Sequence, residues 1–262
     1  MTAPWTPDEM MTVAASRLLW NRCVCFVGIG LPSAAANLAR QAHAPDIVLI
    51  YESGTVGTRP HVLPLSIGDG ELADTATAVV PLPEIFAYWL QGRRVDVGFL
   101  GAAQIDRFAN LNSTVIGDYA RPKTRLPGAG GAPEIAANAR QIFIVLKQTP
   151  RAFVPALDFR SSGGFMEGGG SRARSGAPGR GPQVVITDLG VLRPAPDTEE
   201  LQLVARYDGV TIDQVVRATG WPLRVADSVD VVGPPTAEEL QVLRDLHART
   251  KAAHARPVSV PY

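Results

Sequence analysis

The first quarter of the chain alternates between helical stripes of apolar residues and short apolar runs. Thr6-Pro7-Asp8-Glu9 is a capping box with proline at the first helical position, and it predicts that a helix begins there. The apolar runs at residues 23–27 and 47–51 predict two strands, and SAAANLAR at residues 33–40 predicts a helix between them. This α-β-α-β order is typical of a parallel sheet covered by helices.

The same alternation continues along the chain and then becomes less regular. Further helical patterns occur at residues 83–90, 132–139, 211–219 and 236–253. Further strand patterns occur at residues 95–100, 141–146, 184–187, 191–193 and 201–207. The chain is therefore predicted to form a single α/β domain over residues 1–262, with an open, mostly parallel sheet, helices on both faces and antiparallel additions in the C-terminal half.

Residues 158–182 differ in composition from the rest of the chain. The stretch SSGGFMEGGGSRARSGAPGRGP is rich in glycine, serine and arginine, and it holds almost no apolar residues that could anchor it in a core. Segments of this composition behave as flexible connections. We therefore predict a mobile loop at residues 160–182.

The overall composition excludes several kinds of partner. Lys and Arg together number 25, as do Asp and Glu, so neither nucleic acid nor an anionic membrane is an expected partner. The N-terminus carries no basic-then-apolar leader, and no run of about 18 apolar residues occurs. A cytoplasmic protein is the expectation, and Cys23 and Cys25 are interpreted as small buried hydrophobic residues on one face of a strand.

The Gly28-Ile29-Gly30 turn links a predicted strand to a predicted helix, and backbone amides in this position commonly hold a phosphate. Ser33 occupies the position of the third glycine of a dinucleotide fingerprint, while Glu52 supplies an acidic residue about 20 residues further on. A nicotinamide-dependent oxidoreductase therefore stays open as a function. A tight turn that binds no ligand stays open as the structural alternative.

A second glycine-rich turn, at residues 126–134, also precedes a predicted helix. Its glycines, among them Gly128, Gly130 and Gly131, free the backbone so that amides can converge on an oxyanion or a phosphate, or they serve the turn alone. No Gly-Lys-Ser/Thr follows, so this is not a P-loop. The histidines and cysteines lack metal-binding spacing and no Gly-x-Ser-x-Gly elbow occurs, so neither a metal site nor a serine hydrolase is predicted.

Glu52 directly follows the predicted buried strand at residues 47–51. Open α/β sheets bind their ligands at the carboxyl ends of the strands, and the small residues Ser53 and Gly54 leave space beside the carboxylate. A carboxylate in this position can act as a covalent nucleophile. An ordinary surface charge at the end of a strand is the alternative, and the local pattern does not choose between the two.

Three of these motifs occur in a fixed order along the chain: GIGLP at residues 28–32, ESG at residues 52–54 and GAGGA at residues 128–132. Together they resemble the β subunit of class I coenzyme A transferases. Longer segments such as VLPLSIGDGELA and VIGDYARPKTRLPGAGGAPEIA are similar to the branch of the family that acts on 3-oxoadipate, and the glutaconate branch is the next relative. The resemblance covers nearly the whole chain and is strongest over residues 6–148.

The resemblance implies the fold of the family and a covalent mechanism. Glu52 would attack the thioester of an acyl-CoA donor, form an acyl-glutamyl anhydride and then carry CoA as a glutamyl thioester. The backbone N–H of Gly130 or Gly131 would stabilise the developing oxyanion. The residues expected where CoA or the acyl group approaches are Gly28, Gly30, Ser53, Gly54 and Gly128.

The resemblance also implies substrates and a partner. CoA would pass from succinyl-CoA to 3-oxoadipate in the breakdown of aromatic compounds, with the CoA thioester as a substrate and no permanently bound cofactor. An α subunit would complete the site in an α2β2 heterotetramer. A glutaconate-type or other dicarboxylate CoA-transferase and an acyl-CoA hydrolase on the same fold stay open as alternatives.

Overall fold

The structure is a computed structural model that describes residues 4–255, and the first part of this chain alternates helices with short strands. The elements up to residue 145 are α1 (Pro7–Arg17), β1 (Val24–Phe26), α2 (Leu31–Ala42), β2 (Val48–Ile50), β3 (Thr55–Val56), α3 (Gly70–Asp74), β4 (Ala78–Val79), α4 (Leu82–Glu84) with a π-helix at Ile85–Gln91, β5 (Val97–Leu100), β6 (Gln104–Ile105), β7 (Leu111–Asn112), β8 (Val115–Gly117), β9 (Pro122–Arg125), α5 (Ala132–Asn138) and β10 (Gln141–Val145).

The second part of the chain contributes longer strands and two capped helices. Its elements are α6 (Ser171–Arg174), β11 (Pro182–Ile186), β12 (Gly190–Pro194), β13 (Leu201–Tyr207), α7 (Ile212–Arg217), β14 (Arg224–Val232) and α8 (Ala237–His254). The longest helix, α8, has 18 residues, and within residues 4–255 no helix combines the length and the apolar character needed to cross a membrane.

Ten strands form one large sheet in the order β14-β13-β12-β11-β10-β5-β1-β2-β3-β4. The five central strands, β11, β10, β5, β1 and β2, are parallel to one another. β12 and β13 add antiparallel pairs on one side, where β14 then runs parallel to β13. The predicted open, mostly parallel sheet with antiparallel additions in the C-terminal half is confirmed.

Helices cover both faces of this sheet, as predicted. Alternate strand residues such as Cys25 and Leu49 pack in one core with apolar residues of α1 and α2. Their neighbours Phe26 and Ile50 point to the opposite face, where they join a second core that includes the π-helix and Ile135 of α5. The helix α8 packs outside α2 in a third, smaller cluster.

The helix α5 lies unusually close to the central strand β5. A Cβ at Gly98 of β5 would be 2.5 Å from Cγ2 of Ile135, so this position admits only glycine at the observed spacing. Because α5 is held against the middle of the sheet, the glycine turn at its start is brought to the carboxyl edge of the parallel strands.

Some elements differ from the pattern-based prediction. β3 and β4 extend the sheet antiparallel at its N-terminal edge, although antiparallel additions are predicted only in the C-terminal half. They have two residues each, which is too short to produce a period-2 signal. The helix predicted at residues 83–90 is mostly a π-helix, and β14 is an edge strand whose largely exposed residues carry no apolar alternation.

Residues 160–182 contain two anchors that the apolar pattern does not reveal. Phe165 is buried, and Arg172 on α6 is buried although it is charged. The Arg172 guanidinium donates to five backbone carbonyl oxygens at 2.7–3.4 Å, those of Ala136, Ala137, Gly163, Gly164 and Gly179. The mobility of this loop stays a prediction, but the reason for it is wrong, because a polar side chain supplies the missing anchor.

Both cysteines are free thiols in the core, which confirms their interpretation as small buried residues. Cys23 and Cys25 belong to the same cluster on one face of the sheet. Burial raises the pKa of the Cys23 thiol to about 12 and also raises that of Cys25, so both stay protonated at neutral pH.

The helices α1 and α8 each complete the N-terminal cap of the other. Glu9 accepts a hydrogen bond from the backbone N–H at the start of α1 (2.7 Å) and one from Nε of Arg244 on α8 (2.7 Å). Glu239 accepts a hydrogen bond from the backbone N–H at the start of α8 (2.7 Å) and one from Nη2 of Arg17 on α1 (2.6 Å). We call Glu9, Arg17, Glu239 and Arg244 the reciprocal caps.

The reciprocal caps predict that acid destabilises the protein. The hydrogen bond from Arg244 is the main cause that lowers the pKa of Glu9. Burial raises the pKa of Glu239, but the hydrogen bonds from Arg17 and Thr236 outweigh it and leave this pKa lowered. Such carboxylates stabilise the fold above the unfolded Glu pKa of about 4.3, and this contribution disappears as the pH falls through the folded pKa.

Urea unfolding between about pH 6 and pH 3 tests this expectation. The free energy of unfolding of the wild-type chain should fall with pH, and the Glu9→Gln/Glu239→Gln variant should show a shallower fall. Glu238→Gln, at an exposed position in the first turn of α8, is the control and should keep the wild-type slope. A double variant with an unchanged slope would contradict the assignment.

Candidate active site

Glu52 lies two residues beyond the end of β2, on the turn that reverses the chain into β3. This turn stands at the carboxyl edge of the parallel strands, because β2 runs parallel to β1 and antiparallel to β3. The Gly54 N–H donates to the Tyr51 carbonyl oxygen at 3.1 Å and closes the turn. The Glu52 side chain is half-buried, and within residues 4–255 its carboxylate has no hydrogen bond or ion pair.

Glu52 borders a cavity of about 340 Å³ at this edge of the sheet. The cavity walls also include Leu100 and Gly101 at the end of β5 and the glycine turn at residues 127–132. Strand ends that are far apart in the sequence thus meet at one place, as expected for an open parallel sheet. The structure brings together five of the predicted site residues, namely Gly28, Glu52, Gly128, Gly130 and Gly131.

The Glu52 carboxylate lies directly against the backbone of Gly131. A Cβ at Gly131 would be 3.1 Å from Oε1 of Glu52 and 2.7 Å from Cζ of Phe86, which lies on the π-helix. A side chain at this position would therefore displace the carboxylate, the aromatic ring or both. The glycine allows Glu52 to approach the backbone that leads into α5.

The backbone of the glycine turn offers two free hydrogen-bond donors. The Gly128 N–H donates to the Ser113 carbonyl oxygen at 2.9 Å, and the Ala132 N–H donates to the Ala129 carbonyl oxygen at 3.0 Å. The N–H groups of Gly130 and Gly131, in contrast, have no acceptor among the described residues. Two unpaired amides next to a carboxylate can stabilise negative charge that develops on a substrate oxygen.

Gly131→Ala is expected to slow the reaction at Glu52 by about a hundredfold, the usual cost of moving a reacting group by about 1 Å. The backbone of Gly131 (φ −80°, ψ −2°) accommodates alanine, so the effect arises from the new contacts and not from strain. Turnover is measured for Gly131→Ala, for Phe86→Leu and for the double variant. Recovery in the double variant is expected, and an equal loss with and without Phe86→Leu would contradict this steric explanation.

The structure places three predicted residues away from the walls of this cavity. Gly30 borders a separate, mainly apolar cavity of about 590 Å³. Gly54 has φ +113°, and a Cβ there would lie 2.1 Å from the Val80 carbonyl oxygen, so the glycine serves the close approach of β3 and β4. The interpretation of Gly54 as clearance for a ligand is therefore wrong. The Ser53 hydroxyl is buried without a hydrogen-bond partner in the described chain.

Other residues of the cavity carry no signal in the sequence. Phe86 approaches Glu52 from the π-helix, and Ser113 holds the glycine turn through its carbonyl oxygen. Ile67 lines the cavity and is 42% exposed. Their roles depend on contacts between segments that are distant in the sequence, and only the folded structure reveals such contacts.

Comparison with known proteins links this geometry to one family. Residues 8–218 match the family model described as Coenzyme A transferase. The chain is 59% identical over 252 residues to the subunit named B of 3-oxoadipate CoA-transferase from Pseudomonas knackmussii, and the match covers 96% of this chain and 97% of that protein. It is 37% identical to the subunit of the same letter in glutaconate CoA-transferase from Acidaminococcus fermentans, with 89% of each chain covered.

A solved structure has the same fold. The crystal structure of glutaconate coenzyme A-transferase from Acidaminococcus fermentans superimposes with a TM-score of 0.87 at 33% sequence identity. The superposition covers 93% of this chain and 95% of the other.

Proposed function

Because the chain belongs to the coenzyme A transferase family, we propose that it is the β subunit of an enzyme that moves CoA from succinyl-CoA to 3-oxoadipate. The observation that carries the proposal is the Glu52 carboxylate, which lies against Gly131 beside two unpaired backbone amides. The name of the relative from Pseudomonas knackmussii supports the choice of 3-oxoadipate. Membership of this family replaces the dinucleotide-binding interpretation of the Gly28-Ile29-Gly30 turn.

In the first half of the reaction, Glu52 takes CoA from the donor. An Oε atom of Glu52 attacks the thioester carbonyl carbon of succinyl-CoA, and the carbonyl electrons move to the oxygen, where Gly130 or Gly131 N–H donates a hydrogen bond. The C–S bond then breaks, which leaves a succinyl-glutamyl anhydride and CoA thiolate. The thiolate attacks the glutamyl carbonyl carbon, so that a glutamyl-CoA thioester forms and succinate leaves.

The second half repeats these steps in the reverse direction. A carboxylate of 3-oxoadipate attacks the glutamyl thioester and releases CoA thiolate, which forms a second anhydride. The thiolate then attacks the oxoadipyl carbonyl carbon, and the products are 3-oxoadipyl-CoA and the free Glu52 carboxylate. No proton, oxidant or further cofactor enters the balance, so a CoA thioester is required only as a substrate.

The surface around Glu52 supports a partner subunit. β4 is an exposed edge strand next to the Glu52 turn, since the Val80 N–H donates to the Gly54 carbonyl oxygen at 2.9 Å. Val79 and Leu82 on this edge are 62% and 50% exposed, which favours burial by another protein. We assign this surface to an α subunit, since each of the two relatives is named as one subunit of its enzyme, with α2β2 as the proposed assembly and the cytoplasm as the proposed location.

An acceptor screen with the α–β complex tests the substrate assignment. Succinyl-CoA is supplied with 3-oxoadipate, with glutaconate, with glutarate or with no acceptor, and the acyl-CoA products are separated by chromatography. The highest kcat/KM is expected with 3-oxoadipate. Preference for another dicarboxylate would redirect the proposal to the glutaconate-type alternative. Release of free CoA at the same rate without an acceptor would identify a hydrolase instead.

A further inference from the structure

A second cavity, of about 610 Å³, lies at the opposite edge of the sheet from Glu52. Arg94, Arg140 and Arg180 each stand just before one of three neighbouring parallel strands, β5, β10 and β11. Arg93 completes the set, so four of the six residues that line this cavity are arginines. We call it the arginine cavity. The chain as a whole has equal numbers of acidic and basic residues, so this concentration of positive charge is local.

The backbone holds the four arginines in fixed positions. Arg93 has φ +59° at the end of the π-helix, and its N–H donates to the Leu90 carbonyl oxygen at 2.9 Å. The Arg180 N–H donates to the Arg140 carbonyl oxygen at 2.9 Å, and Nε of Arg140 donates to the Arg93 carbonyl oxygen at 3.3 Å. These bonds tie the segments that carry the arginines to one another, so the guanidinium groups converge without a folding step.

Most of the positive charge in the arginine cavity is not neutralised within the described chain. Asp96 pairs with Arg140 at 3.3 Å and uses its other carboxylate oxygen for the backbone N–H of β1. Arg93 and Arg94 donate only to backbone carbonyl oxygens, and Arg94 also lies 4.1 Å above the ring of Tyr88. The Arg180 side chain has no acceptor among residues 4–255. Four cations and one anion leave an excess of three positive charges.

We propose that the arginine cavity binds the diphosphate group of a nucleotide or of a nucleotide-containing cofactor. Guanidinium groups bind phosphate oxygens in pairs, and phosphate groups carry between one and two negative charges each at about pH 7. A diphosphate therefore matches the excess of three positive charges. The cavity is distinct from the acyl-transfer site, because β5 separates Arg94 at its amino end from Leu100 at the Glu52 cavity.

Calorimetric titration of the α–β complex with inorganic pyrophosphate tests this site. Saturable binding at one site per β chain is expected. The Arg140→Gln/Arg180→Gln variant should bind at least about tenfold more weakly, because it removes two of the charged forks. The control variant Arg151→Gln/Arg217→Gln makes the same change in net charge at exposed positions outside the cavity, and it should bind like the wild type.

The other outcomes are also decisive. No saturable binding up to about 10 mM pyrophosphate, or equal weakening in the control variant, would overturn the proposal. Binding to the isolated chain but not to the complex would also overturn it, because the partner subunit would then occupy the cavity. Competition of ADP, CoA or both with pyrophosphate identifies the source of the diphosphate, and competition by neither would overturn its assignment to a nucleotide.

Discussion

Glu52→Gln is expected to lower CoA transfer by at least about a thousandfold, because the amide cannot attack the thioester and no other carboxylate takes its place. Glu52→Asp retains the charge but shortens the side chain by one methylene, so a loss of about a hundredfold is expected from misplacement alone. Within the described chain the carboxylate has no bonded partner, so neither change leaves a buried group unsatisfied. Stability should therefore stay close to that of the wild type.

The assay follows acyl-CoA exchange by the α–β complex, and thermal unfolding of each variant checks the fold. Glu84→Gln, at an exposed position on the neighbouring helix α4, is the matched control and should keep full activity. Borohydride added with succinyl-CoA should reduce the glutamyl thioester, and mass spectrometry should locate the modification at Glu52. A Glu52→Gln variant that retains activity within a few fold of the wild type would exclude Glu52 as the nucleophile.

Arg172→Met is expected to destabilise the protein by at least about 3 kcal/mol, because several buried carbonyl oxygens lose their donor and each costs about 1–3 kcal/mol. Arg172 is 4% exposed, and burial lowers the pKa of its guanidinium. Its charge is compensated mainly by the dipoles of carbonyl groups. Two of them, on Ala136 and Ala137, belong to α5, so the loss should loosen both the 160–182 segment and the helix behind the glycine turn.

Urea unfolding and hydrogen exchange measure this effect. The unfolding midpoint of Arg172→Met should fall, and amide protection should decrease first at residues 160–182 and in α5. Arg174→Met is the control, because Arg174 is exposed on the same short helix and donates to one carbonyl oxygen, that of Gly169. Similar midpoints for the two variants would show that the buried arginine is not the anchor of this segment.

The elements that could be predicted from the sequence are those with strong local signals. The capping boxes at Thr6, Thr211 and Thr236 are all present, since a cap depends on residues only three positions apart. The central strands were recognisable because both of their faces are buried, so each reads as a continuous apolar run. The two-residue strands β3, β4, β6 and β7 carry too little pattern to be seen.

The candidate site was predictable in part for the same reason. Glu52 and the glycine turn stand out as motifs, and the parallel sheet explains why Glu52 and Gly131 meet. Phe86 and Ser113 carry no such motif, because their contribution comes from contacts across the fold. Gly54 shows the opposite failure, since a conspicuous glycine is explained by the approach of Val80 and not by a ligand.

The reciprocal caps set a limit on when the chain can finish folding during its synthesis. Arg17 and Glu239 are separated by 222 positions in the sequence, so α1 leaves the ribosome long before its partner exists. At typical rates of synthesis the delay is roughly 10 to 45 seconds. During that time the first helix lacks the bond from Arg244 to Glu9, and the apolar residues that α8 covers remain open to solvent. Completion of the fold therefore awaits the last helix, and a nascent chain that stalls before it is a natural substrate for chaperones.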